Sequence, residues 1–405
     1  MRNRPHAHSI VVLITGPPPS TDSTSGSTGP HRPFERTDTT EVASRRERER
    51  RVLSDLRDLA GTRVSTVRLF EELGSVLPQA VGFDAVCWHD TDPLIGLPTS
   101  MVSDTLDPRG IAQALDLEFT ANDVGTVAEM QAKGSRVTTI SQVTHGHPER
   151  SIRMREQLSG YGFGDELRLR CDIGAGSWGF AAFMREKARG SFTVEEIRFA
   201  DQANRLITTA LRHSHLPRPG AAVPGSASVP AVVILGSSNE LVAADRPGQR
   251  LIAELADSAS DVLAVPTAFP IIAKLARIAE ETPDALPAEL RVQTRNGHWV
   301  VLRGSVLHGA TGPQVAISAT APTAAEIMPV VLNAHGLTPR EQLVIREVLG
   351  GGSTKEIAKA LSLTALTVQD HLKSIFTKFG AHSRGELVAR LSFGTQRPDS
   401  SGQSR

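Results

Sequence analysis

Leu337-Thr338-Pro339-Arg340-Glu341, Ser353-Thr354-Lys355-Glu356 and Ser383-Arg384-Gly385-Glu386 repeat one pattern, Ser/Thr-x-x-Glu, inside residues 337–391. In this box the hydroxyl accepts from the backbone N–H three residues on, and the glutamate reaches back to the cap residue's own N–H. The first box places Pro339 at the first helical position, where a missing N–H costs nothing. Thr364 offers a fourth, weaker start, because Thr367 stands where the glutamate would be. The stretch therefore predicts four short helices, the layout of a helix-turn-helix unit.

The first helix is expected from Pro339 to about Leu349, with Leu343, Val344 and Val348 inward, and Gly350-Gly351-Gly352 to close it. The second runs from about Thr354 to Leu361 and buries Ile357, Ala358 and Leu361; Ser362-Leu363-Thr364 is then a turn. The third runs from about Ala365 to Phe379 and stops at Gly380. Its Val368, Leu372, Ile375 and Phe379 are spaced 4, 3 and 4 apart, one stripe of a 3.6-residue helix. The other side carries Thr367, Gln369, Asp370, Lys373, Ser374 and Thr377. That face is polar, short-chained and sparsely charged, which suits base edges and phosphates in a major groove. The fourth helix begins after Ser383 with Leu387, Val388 and Leu391. Residues 337–391 hold eight Lys or Arg against five Asp or Glu, whereas the whole chain balances 44 against 44. Positive charge is concentrated where phosphates would be met.

These residues resemble the LuxR/FixJ-type DNA-binding domain. The match is carried by Leu337-Thr338-Pro339-Arg340-Glu341, Lys355-Glu356-Ile357-Ala358, Thr367-Val368 with His371, Lys378-Phe379-Gly380 and Ser383-Arg384-Gly385-Glu386-Leu387, in that order. The resemblance implies a four-helix domain that lays its third helix in the major groove and dimerises through its fourth. It assigns base contacts to Gln369, Asp370 and Lys373, and backbone contacts to Lys355, Thr367 and Lys378. Asp370 is acidic where the family often has a basic or amide residue; it can accept from a cytosine amino group, pair with Lys373 or repel phosphates. Val388 and Leu391 form a second small apolar strip, read as the dimer interface, with packing on the first helix as the alternative.

The remaining chain is organised more loosely. Residues 1–50 are assigned to a disordered tail, rich in Pro, Ser, Thr and Gly to position 40, with the charged run Arg45–Arg51 opening a helix. Residues 51–214 carry helical periodicity at Leu53, Leu56, Leu69, Leu73 and Leu77. Strand-like runs follow at 85–89, 99–102, 166–171 and 178–184, and a last helix is capped by Thr193-x-x-Glu196. This order resembles a GAF domain, and Gly176-Ser177-Trp178-Gly179-Phe180 before Phe192-Thr193-Val194 is similar to the GAF-type segment of actinobacterial LuxR regulators. Residues 215–229 read as a linker. Residues 230–322 give a hairpin, two helices, a second hairpin with an Asn296-Gly297 turn and a final strand, an order that resembles a PAS fold. Residues 323–336 are a second linker, 337–392 the helix-turn-helix domain and 393–405 a disordered tail.

Other chemistries find little support. No Gly-x-x-x-x-Gly-Lys-Ser/Thr occurs, which excludes the ATP-hydrolysing LuxR branch, and no strand ending in paired acids marks a phosphoacceptor receiver. His145, His147 and His89 lack a ligand spacing or a supporting carboxylate, so no metal and no cofactor is expected. No catalytic triad or dyad can be defended, and no enzyme is expected. Cys87 and Cys171 form no disulfide framework and are expected as buried apolar residues, as are Trp88, Trp178 and Trp299. No run of 18 apolar residues spans a membrane, and Ile10–Ile14 is too short for a secretory core, so a cytoplasmic location is expected. The fold class expected is multidomain, two α+β sensor-like units followed by an all-α four-helix domain. The function expected is a dimeric, sequence-specific DNA-binding transcriptional regulator. Its partners would be double-stranded DNA, RNA polymerase, a second copy of the chain and a small-molecule effector acting at the sensor units. The alternatives are a sigma-like RNA polymerase factor and a GAF-containing signalling enzyme.

Overall fold

The computed structural model describes residues 39–103, 113–114, 117–118, 123–174, 176–216, 230–258, 260–282, 285, 287–309 and 312–391. Two α+β units are followed by a helical C-terminal domain. The first unit contains α1 (Thr39–Gly61), α2 (Thr66–Val76), β1 (Ala85–Thr91), β2 (Pro98–Val102), α3 (Val127–Ala132), β3 (Val137–Thr139), α4 (Ile140–Val143), α5 (Ile152–Glu156), β4 (Phe163–Ile173), β5 (Gly176–Glu186) and α6 (Val194–Ser214). Its antiparallel sheet has the order β2-β1-β5-β4-β3. All seven residues of β1 are buried, because the sheet is covered on both faces. Val86, Trp88, Leu167, Leu169 and Phe183 pack on one face against α1, α2 and α6, while Ala85, Cys87, Ala182 and Met184 pack on the other.

The second unit contains β6 (Ala231–Leu235), β7 (Leu241–Ala244), α7 (Arg246–Glu254), α8 (Ser260–Leu263), α9 (Ala268–Glu281), β8 (Glu289–Gln293), β9 (Trp299–Gly309) and β10 (Gly312–Thr320). Its sheet, β7-β6-β10-β9-β8, traces the same path as the first. The Asn296-Gly297 turn forms as expected: Gly297 has φ +82°, and Thr294 N–H donates to His298 O at 2.8 Å. The helices α10 (Ala324–Ala334), α11 (Pro339–Leu349), α12 (Thr354–Ala360), α13 (Ala365–Phe379) and α14 (Arg384–Leu391) complete the chain.

Two assignments made from sequence change. Helix α1 begins at Thr39, inside the 1–50 segment assigned to a disordered tail; residues 1–38 and 392–405 lie outside the described residues, as does most of the 215–229 linker. The 323–336 linker is instead mostly helix. Thr323 and Glu326 form a reciprocal capping box, and α10 buries Ile327, Val330, Val331, Leu332 and Ala334 despite Pro329 in its interior. The physical reason is the apolar surface around it. Ala334 joins the core of the first unit, whereas Ile327 and Val330 join the C-terminal core together with Trp299 of the second unit.

The junction of the units combines apolar contacts, with Ile95 and Leu97 on the core of the second unit, and buried polar groups. Asp92, fully buried at the end of β1, accepts from the N–H of Arg291 at 2.8 Å and from its Nη1 at 3.2 Å, and Arg291 Nε donates to Glu326 O at 3.0 Å. Burial pushes the Asp92 carboxyl up, and the Arg291 charge and hydrogen bonds oppose it. The edge strand β2 is covered by the second unit: Met101 N–H donates to Asp257 Oδ2 at 3.0 Å, and Ser258 N–H to Met101 O at 3.0 Å. His215 lies between Trp178 and Trp299, with ring centroids 5.3 and 5.6 Å away, and its Nε2 is 3.0 Å from Asp90 Oδ1. Replacing Arg291 by Met leaves Asp92 buried without its cation and is expected to cost about 3 kcal/mol, part of which an Asp92→Asn, Arg291→Met double variant recovers. Chemical denaturation of Asp92→Asn, Arg291→Met and the double variant checks this; additive losses would show that the pair does not couple the units.

Candidate nucleic-acid interface

Local sequence builds the C-terminal domain almost unaided. Thr338 Oγ1 accepts from Glu341 N–H at 3.3 Å while Thr338 N–H donates to Glu341 Oε2 at 2.7 Å. Ser353 and Glu356 repeat this exchange at 3.4 and 2.7 Å. The third box is altered: Ser383 Oγ accepts from Glu386 N–H, but Glu386 Oε2 reaches one residue further back, to His382 N–H at 2.8 Å. Thr364 caps Thr367 N–H at 3.1 Å, and Gly380, with φ +62°, closes α13 in the left-handed conformation. Arg384 Nη2 donates to the carbonyls of Val348 and Gly352, satisfying the C-terminal end of α11.

The core of this domain holds Val344, Ile345, Val348, Ile357, Ala358, Val368, Ile375, Phe379, Leu387 and Leu391. Leu343, expected inward, is 36% exposed, and Ile345 takes its place. An eleven-residue helix contacted from several sides buries a wider arc than one stripe, so i, i+4 spacing alone did not select between them.

Gln369, Asp370, Lys373 and Thr377 are exposed along α13, and Lys355 is exposed on α12; Thr367 is half-buried beside its Thr364 partner at 2.8 Å. One residue of the expected polar face, Ser374, and one expected backbone contact, Lys378, are committed elsewhere. Ser374 Oγ donates to Glu341 Oε1 at 2.6 Å, and Lys378 Nζ donates to Glu341 Oε2 at 2.6 Å. Lys378, assigned to the DNA backbone from sequence, is therefore an internal ion-pair partner here, because Glu341 is buried and needs a cation. Burial alone would raise the Glu341 carboxyl, yet the hydrogen bonds from Lys378, Ser374 and Thr338 hold it down at about 2.

The fourth helix also differs from expectation. Leu391, read as part of a dimer strip, is 2% exposed and lies in the domain's own core, while Val388 is half-buried against that core. On an eight-residue helix Leu387 and Leu391 stand four apart and share the inward face. Leu366, absent from the sequence reading, is the largest surprise: it stands 68% exposed in the first turn of α13. Its one signal in the sequence was its place outside the 4-3-4 stripe.

The four helices, their caps and the exposed face of α13 define a helix-turn-helix domain. Residues 335–391 match the family model of bacterial regulatory proteins of the luxR family, so the C-terminal domain is a LuxR-family helix-turn-helix domain. Over 52 residues it is 48% identical to an HTH-type transcriptional regulator of Mycobacterium bovis, covering 13% of this chain and 6% of that protein. It is 46% identical over 52 residues to the transcriptional regulatory protein ComA of Bacillus subtilis, covering 13% of this chain and 24% of ComA. The chain thus matches only a small part of these relatives' length. Among solved structures, the Vibrio cholera VqmA–ligand–DNA complex aligns over 43% of this chain and 84% of that chain, with 19% identity and a TM-score of 0.23. The DhaR(N)–DhaL complex of E. coli aligns over 72% and 92%, with 14% identity and a TM-score of 0.21. At these TM-scores the chains do not superpose as wholes.

Two stability effects follow from the geometry. A glutamate held below its ordinary value of 4.5 contributes stability that is complete above that value and is lost as pH falls from about 4.5 to about 2. Glu341→Gln is expected to lower the thermal midpoint at neutral pH and to flatten this acid limb; a parallel shift of the two pH profiles would show that the carboxylate's charge does not matter. Leu391→Glu puts a charge into a closed core and is expected to cost about 3 kcal/mol or more, removing the domain's cooperative transition. Circular dichroism melting checks it, and an unchanged midpoint would return Leu391 to the surface.

Proposed function

We propose that this protein is a dimeric transcription regulator that reads double-stranded DNA with α13 and is controlled through its two α+β units. The observation that carries the reading is a recognition helix whose inward side is fixed by Glu341 while Gln369, Asp370 and Lys373 stand exposed on its outward side. Those three residues take the base edges, and Lys355 and Thr367 take the backbone. Two copies place two such helices one turn apart on a pseudo-palindromic site, with the half-buried Val388 and the exposed Gly385 and Ala389 of α14 as the seam.

The two sheets with one shared strand order support a GAF-like first unit and a PAS-like second unit, of the kind found in actinobacterial LuxR regulators. An effector would sit on the sheet face of the first unit opposite α1 and α6. That face carries Cys87 Sγ 3.2 Å from His89 Nε2, the His89 ring stacked on Phe180 at 4.1 Å, and the buried ion cluster of Arg153, Glu166, Arg168 and Glu118. Burial and the nearby Arg168 push His89 down to about 3, so it is a neutral hydrogen-bonding group there. An effector acts by binding one arrangement of the units better than the other and so shifting how the two α13 helices are spaced. The protein would work in the cytoplasm with RNA polymerase as its partner.

Lys373→Ala is expected to weaken specific binding about 5- to 100-fold while leaving random duplex binding nearly unchanged. Lys355→Ala is expected to weaken both alike and to lower the salt slope by about one. Gel-shift titrations of the full chain at several salt concentrations check both. Unchanged specific affinity in Lys373→Ala, with helicity intact, would remove α13 as the reading element.

A further inference from the structure

Leu366 is the most exposed large apolar side chain among the described residues, at 68%. It is the second residue of α13, directly after the Thr364 cap and Ala365. At 100° per residue it shares a face with Asp370, Lys373 and Thr377, opposite the buried Val368, Ile375 and Phe379. A leucine left in water at this point gains nothing for the domain: its neighbour Leu363 packs on the core, and Leu366 does not. It stands on the outward face beside the polar groups that the DNA reading uses, and at the helix end that enters a major groove first. Within a groove of hydrogen-bonding edges, the apolar feature that distinguishes one base from the others is the 5-methyl group of thymine.

We propose that Leu366 is a specificity-determining residue that packs its isobutyl group on the 5-methyl of a thymine in the major groove. This rests on the DNA-binding reading above and adds to it one position and one base. Seven residues separate Leu366 from Lys373, about 10.5 Å along the helix. At 3.4 Å per step, the thymine lies about three base pairs from the base that Lys373 contacts. The domain therefore reads each half-site with an apolar contact at one end of α13 and a cationic one two turns later.

The test uses the full chain and duplexes selected by it from a random library. Each thymine of the selected site is replaced in turn by uracil, which removes the methyl and leaves base pairing intact. For the wild type, one replacement is expected to lower affinity about fourfold, the equivalent of one buried methyl group. That position is expected two to four base pairs from the one whose preference Lys373→Ala relaxes. Leu366→Ala is expected to bind the thymine and uracil duplexes equally. Alanine is the best helix former and the site is exposed, so the variant keeps its fold, and the uracil arm leaves the protein untouched. A site with no thymine in that window, no uracil effect, or an undiminished effect in Leu366→Ala overturns the proposal while leaving the DNA reading in place. Enrichment of no sequence at all overturns the DNA reading, and this proposal with it.

Discussion

One carboxylate organises the C-terminal domain. Glu341 closes the cap of α11 through Thr338 N–H, and it accepts from Ser374 and Lys378, which stand four apart on α13. A charge buried this deeply is tolerated only when its lone pairs are filled and a cation stands beside it. Ser374 and Lys378 must therefore present the same side of α13 to α11. Turning α13 by one residue would break both bonds and carry Val368, Ile375 and Phe379 off the core. The outward face of α13, and so whatever it touches, is set by a bond made on its inward face.

The same logic operates at the junction of the units on a larger scale. Asp92 comes from the first unit, Arg291 from the second, and the carbonyl of Glu326 from α10, which leads into the helical domain. Helix α10 shares its side chains between cores, and Gln342 of α11 donates to Asn333 at its end at 2.7 Å. His335 stacks on Phe379 with centroids 3.9 Å apart and meets the carbonyl of Lys378 through Nδ1 at 3.1 Å. Displacing the loop after β1 disturbs close-packed contacts that run to the last turn of α13, and packed interiors transmit such shifts rather than absorb them. A continuous set of contacts thus joins the loop after β1 to the last turn of α13.

Much of the helical domain was legible because its signals are local. The Thr338 and Ser353 boxes, the Thr364 cap, the Gly380 stop and the 4-3-4 stripe of α13 all depend on residues within one turn of each other. The Asn296-Gly297 hairpin was legible for the same reason. The Thr323–Glu326 box of α10 was equally present in the sequence, but the segment was assigned to a linker; apolar surface from all three parts of the chain closes around it. Leu343 against Ile345, and the inward turn of Leu391, were settled by neighbours from other helices.

The sequence by itself determined where the last four helices and the Asn296-Gly297 turn begin and end, because capping, glycine conformation and apolar periodicity act over three or four residues. The tertiary structure alone decided which charges remain outside. Lys373 and Lys378 look alike along the chain, yet one is exposed and the other is held by Glu341, 37 residues away. Asp92 and Arg291 meet across 199 residues. The state of a charged side chain depends on what removes its water and what replaces it, and in this protein those groups arrive from distant segments only when the units pack.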